Sequence, residues 1–210
     1  MGLKNTIVEE NVIYSKNVLE FVTVAAEYCA FVETVEQNTK KDFFDKAQKL
    51  LSVLYLKTSI LPKIEAVYED GNEKFVSEDD WIFLKNKIVQ KIGQHEIFID
   101  VYSAIMSQED DSENISLAEI FADIYQDLMD FLTLYRIGHE ESMNDALWEC
   151  KENYEQYWGA RLLAALSAIH NIFYSGDDLS DEANVEKTEA SKERNTDDWI
   201  ISQRQKDWSE

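Results

Sequence analysis

The chain has 210 residues, 45% hydrophobic and 12% aromatic, and its 42 Asp/Glu against 20 Lys/Arg leave a formal net charge of −22. That is enough apolar material for one packed domain, while the charge repels phosphate backbones and anionic headgroups and so disfavours nucleic-acid and membrane binding. One proline and six glycines are too few for a protein built of hairpins, and no apolar run is long enough to span a bilayer.

In chain order, the first helix is expected from about Asn5 to Glu36, with Ile7, Tyr14, Val18, Val22, Ala25, Cys29 and Val32 on one face. A second runs from Lys41 to Leu61 and stops because Pro62 disfavours helical geometry in the residue before it. After the loop around YEDGNEKF, Ser77 with Asp80 reads as a capped start for a third helix, which Gly93 ends. EIFIDVYSAIM reads as a further short helix, and QEDDSENI as a solvated loop without the glycine and alternating ligands of a calcium site. Ser116 with Glu119 caps a fourth helix that Gly138 terminates. The longest helix follows, from Glu140 to Phe173, with the stripe Leu147, Cys150, Tyr154, Trp158, Leu162, Ala165 and Ile169. The expected fold is therefore all-α: a single bundle of five to six helices over 1–174, with a long central C-terminal helix, and an acidic tail over 175–210.

Two of these segments, ADIYQDLMDFLTLYRIG and NDALWECKENYEQYWGARL, and more weakly NVLEFVTVAAEYCAFVE and LYLKTSILP, resemble the bacterial family of domain of unknown function 5063. The likeness covers residues from about 10 to 173. It implies an all-helical bacterial cytoplasmic protein and carries no catalytic residues over. The residues themselves point to the same compartment. The start, MGLKNTIVEENVIYS, lacks the pattern of a secretory signal, and Cys29 and Cys150 sit in apolar stripes as reduced core residues would.

Charge is unevenly spread. Residues 1–76 hold nine Lys/Arg and twelve Asp/Glu, whereas residues 107–160 hold two against fourteen. On the fourth helix Asp123, Asp127 and Asp130 border the buried face, a stripe suited either to a cation or basic group, or to solvent and a pairing with a neighbouring helix. Arg161 projects from the apolar stripe of the last helix, where an unpaired guanidinium would be costly, and Asp127 is its expected partner. The same pair, with Asp123, Asp130, Tyr154, Tyr157 and Trp158, is the candidate ligand or ion-pair site, although aromatic residues at this spacing also make ordinary core. Glu141, Asp145, Glu149 and Glu152 fall together on the side expected to face solvent. None of His95, His139 and His170 follows an acid at the spacing of a di-iron bundle, so no metal, cofactor or catalytic residue is assigned.

Three functions fit: a non-catalytic interaction or adaptor module; a small-ligand or cation-binding bundle around Arg161 and Asp127, with or without catalysis; and an acidic mimic of nucleic acid. The mimic needs acids over the whole surface, which the near-neutral first helices do not provide. The partner is a protein, basic if it meets the acidic face, or the chain itself through its tail. Residues 175–195 have the composition of a tether. Beyond it, Thr196 can cap a short helix over 196–208, with Asp197 and Asp198 in its first turn. Trp199, Ile200 and Ile201 are its apolar anchor, and Trp208 is a second, weaker contact.

Overall fold

Capping chemistry sets where the helices begin. The computed structural model describes residues 11–68, 71–99 and 114–180. Asn11 accepts from the Ile13 amide at the head of a 3-10 turn, Val12–Tyr14, that leads into α1, Lys16–Glu33. Thr39 accepts from the Asp42 amide and starts α2, Lys40–Ser59. Ser77 and Asp80 each accept from the other's amide, the reciprocal cap that begins α3, Glu78–Ile92. Ser116 accepts from Glu119 at the start of α4, Leu117–Ile137, and Gly138 ends it in the left-handed conformation at φ 83°. The last helix is continuous but not uniform: α5, Glu140–Asn153, passes through a π-helical turn, Tyr154–Trp158, into α6, Gly159–Tyr174.

One expected helix is not a helix where it is described. Ile97–Ile99 forms a short strand, β1, antiparallel to β2, Asn114–Ser116, with Ile97 opposite Ser116. Isoleucines on either side of a half-buried Phe98 give the two-residue alternation of a strand, and β-branched residues suit its pleat. The rest of that expected helix, 100–106, lies outside the described residues, as do 5–10 at the start of the first.

The fold is an all-α bundle, with this one strand pair among the described residues. α4 packs on α1, α3 and α5, burying Ile120, Phe121, Ile124, Leu128 and Phe131. Aromatic rings join the layers: Phe21 lies 5.3 Å from Phe131, and Phe43 lies 5.4 Å from Phe121. The long helix links two regions, because α5 packs on α4 while α6 packs on α2. Among the described residues no helix is long and apolar enough to cross a membrane.

The π turn has a steric cause. The Gly159 amide donates to the Tyr154 carbonyl, five residues back. A Cβ at 159 would stand 2.5 Å from that oxygen and 2.9 Å from the Tyr154 ring. Trp158, on the same turn, is fully buried with its ring 4.9 Å from Tyr154. Helix propensity alone favours Gly159→Ala by about 1 kcal/mol. The crowding reverses the sign, and we expect a net loss of about 1–3 kcal/mol in urea denaturation; a stabilised Gly159→Ala would show that the turn relaxes freely. Trp158→Ala should cost about 3–5 kcal/mol by the same measurement.

Candidate functional site

The acidic stripe of α4 is spent on three different neighbours. Asp123 accepts from Trp81 Nε1 on α3 at 3.0 Å, from the Tyr157 hydroxyl at 2.8 Å, and pairs with Arg161 Nη2 at 3.3 Å. The Arg161 guanidinium also lies over the Tyr157 ring, 5.0 Å from its centre. Arg161 is thus held by Asp123, not by the expected Asp127. The two aspartates are one helical turn apart, and the axial offset between α4 and α6 decides between them. Burial, together with the hydrogen bond to Asp123, pushes the Tyr157 phenol above its ordinary range.

Asp127 accepts instead from Asn153 Nδ2 at 3.0 Å, and burial raises its carboxyl from 3.8 to about 6. Asp130 is almost wholly buried. Its Oδ1 accepts from the amides of Phe75 at 2.8 Å and Val76 at 3.0 Å, while Oδ2 has no hydrogen bond and lies 4.0 Å from Lys74 Nζ. Glu149 takes Lys74 Nζ and Asn72 Nδ2, both at 2.9 Å. Asp127, Asp130, Glu149, Lys74, Cys150 and Asn153 enclose a cavity of about 10 Å³, room for one water molecule. Burial drives the Cys150 thiol well above its ordinary range, which suits a packing role and not a nucleophile. Tyr154 and Trp158 belong to the core: the Tyr154 ring packs edge-on against Tyr55 at 5.5 Å.

Asp145 and Glu149 correct the expectation of a solvated outer face on α5. Asp145 is buried, and its two oxygens accept from the amides of Val67 at 2.7 Å and Tyr68 at 2.9 Å. Asn144 Nδ2 donates to the Glu65 carbonyl at 2.8 Å. The segment between α2 and α3 crosses this face: Asp145 accepts from its backbone, and Glu149 from its Asn72 and Lys74 side chains. Among the described residues no cluster of three His, Cys, Asp or Glu side chains is arranged to hold a metal ion.

A second feature has no counterpart in the sequence reading. Between α1 and α2 runs an open groove of about 750 Å³, with Val24, Phe31, Leu50 and Val53 along its floor and Lys46, Lys49 and Glu27 at its rim. Val53 is 42% exposed. Phe31 is fixed beneath by stacking on Phe43 at 5.1 Å. The signal is present in the sequence as apolar residues beside the main stripes: Val24 and Phe31 are two turns apart on α1, and Leu50 and Val53 one turn apart on α2. The tail residues Trp199, Ile200 and Trp208 lie outside the described residues.

The family model for domain of unknown function DUF5063 matches residues 12–175. The chain belongs to this family. Among solved structures, the crystal structure of protein BF1032 from Bacteroides fragilis, a structural-genomics target, is similar at a TM-score of 0.71 and 36% identity, covering 79% of this chain and 98% of that one. No curated protein matches. The matched residues of this chain span α1 to α6 and so include those of its acidic seam and groove.

Titration and backbone anchoring each give a measurable consequence. Between about pH 4 and pH 6, folded Asp127 keeps a proton that the unfolded chain releases, so stability falls as pH rises through that window and stays lower above it. Asp127→Asn should therefore be more stable than the parent by about 1–3 kcal/mol at pH 8 and equal to it below about pH 4, in urea titrations at each pH. A constant difference across pH would refute the assignment. Asp145→Ala leaves two amides of the crossing segment without acceptors and should cost about 1–3 kcal/mol, with faster hydrogen exchange at Val67 and Tyr68. Unchanged exchange there would mean that the segment is held by other contacts.

Proposed function

We propose that this member of the DUF5063 family is a non-catalytic interaction module whose α1–α2 groove receives an amphipathic helical segment of a partner protein. The observation behind the reading is the groove itself: an apolar floor some two turns long between antiparallel neighbours in sequence, lined at one side by Lys46 and Lys49. Helices dock in such grooves by placing anchors at i, i+3, i+4 and i+7 on the floor. Lysines at the rim favour a segment whose flank is acidic. A basic partner would instead meet the α4–α5 face, where the carboxylates are occupied by Arg161, Lys74 and backbone amides.

The small-ligand reading has less support. Arg161 is engaged by Asp123, so an anionic ligand would have to displace that carboxylate, and the cavity beside Asp127 has room for no more than one water.

Selection of displayed helical peptides on the full chain tests the proposal. Enriched peptides should combine bulky apolar anchors at helical spacing with Asp or Glu, and should lose at least about tenfold in affinity for Val53→Asp. Peptides that bind Val53→Asp as well as the parent would place the recognition surface elsewhere.

A further inference from the structure

The groove lies against α2, the most lysine-rich helix among the described residues. α2 carries five lysines against two aspartates, whereas residues 107–160 carry two basic residues against fourteen acids. The described chain also ends beside it. Residues 177–180 share a hollow with Thr39 and Lys41 at the head of α2, and Gln37 and Asn38, the residues immediately before, already line the groove. His95 Nδ1, buried beneath, lies 4.0 Å from Asp177 and marks the same corner.

Residues 181–195 follow, fifteen in number, with seven of the next eighteen residues acidic and three basic. A coil of that length has a root-mean-square span of about 19–23 Å. The distance along α2 from Thr39 to Leu50 and Val53 is about 17–21 Å at the helical rise. The linker span thus matches the distance from the head of α2 to the apolar floor, and tethering is most effective when linker span and site separation match. The segment beyond the linker is TDDWIISQRQKDW, whose sequence offers Thr196 as a helix cap, two aspartates for a first turn, and Trp199, Ile200 and Ile201 as contiguous apolar anchors. So short a helix is marginal in water and folds only against a surface. A segment seated there would bring Asp197 and Asp198 to Lys46, which donates to Asn38, and to Lys49, which is well exposed and paired with Asp45.

We propose that residues 196–208 occupy the α1–α2 groove of their own chain, so that the module is self-covered until a partner segment displaces the tail. This rests on the reading of the groove as a docking site. It adds the identity of the resident occupant and a competitive mode of regulation.

A spin label on Gln205→Cys in the full chain tests it, since the native Cys29 and Cys150 are buried and leave the new thiol as the reactive one among them. Methyl resonances of Val24, Leu50 and Val53 should broaden in dilute, singly labelled protein, and the broadening should vanish when Trp199→Ala and Ile200→Asp are added. The same double substitution should tighten groove-directed peptides on the order of tenfold, because a tethered competitor at millimolar effective concentration is removed. Three results overturn the proposal: no broadening at the groove, broadening confined to the α4–α5 face, or broadening that arises only between labelled and unlabelled copies. In each of those cases Val53-dependent peptide binding would still stand, so the groove reading and its self-occupancy fail separately.

Discussion

Eighteen residues pass from α2 to α3 over the faces of α4 and α5, and the described ones form no helix or strand. Backbone amides pressed against a bundle need acceptors. Here the acceptors are carboxylates fixed on helices: Asp145 for Val67 and Tyr68, Asp130 for Phe75 and Val76. The bundle depends on this arrangement because α3 is positioned only after the crossing. Its cap at Ser77 follows directly on Val76, and Trp81 then reaches Asp123. The acidic stripe on α4 is therefore explained largely by structure. Charges spaced three and four apart on one helix would repel, but each has a different donor set, and burial raises the carboxyls of both Asp127, to about 6, and Asp130.

Much of the scaffold is legible from sequence because its punctuation is local. Ser77 with Asp80, Ser116 with Glu119, and Gly138 act within four residues, and helical periodicity places the core of α4 and of the long helix. What was missed depends on partners far along the chain. β1 exists because Asn114–Ser116 pairs with it, and three residues carry too little pattern to announce a strand. Asp145 reads as solvent-facing on a helical wheel because no wheel shows that a loop from 78 residues earlier covers it. Arg161 does require a carboxylate on α4, but choosing between Asp123 and Asp127 requires knowing how far one helix slides along the other. The groove is not legible in the sequence for a related reason: Val24 and Val53 are ordinary surface residues of their own helices until α1 and α2 are laid side by side.

Family membership and the likeness to the Bacteroides fragilis protein fix the domain and leave the chemistry to the residues. In those residues, carboxylates that would suggest catalysis or metal binding in an acidic bundle are committed to amides, an arginine and a lysine. The apolar groove is built instead from α1 and α2, in the near-neutral first part of the chain.

That division of charge acts at distances well beyond contact. A molecule with an excess of lysines along α2 and a dense field of carboxylates along α4 and α5 has a large electric dipole, and an approaching charged segment turns in its field before touching anything. Acidic segments are repelled least at the lysine-bearing side and basic ones are drawn toward the other, over roughly a Debye length of about 8 Å at physiological ionic strength. Encounter at the groove is thereby oriented, and its rate, more than its final strength, becomes sensitive to salt.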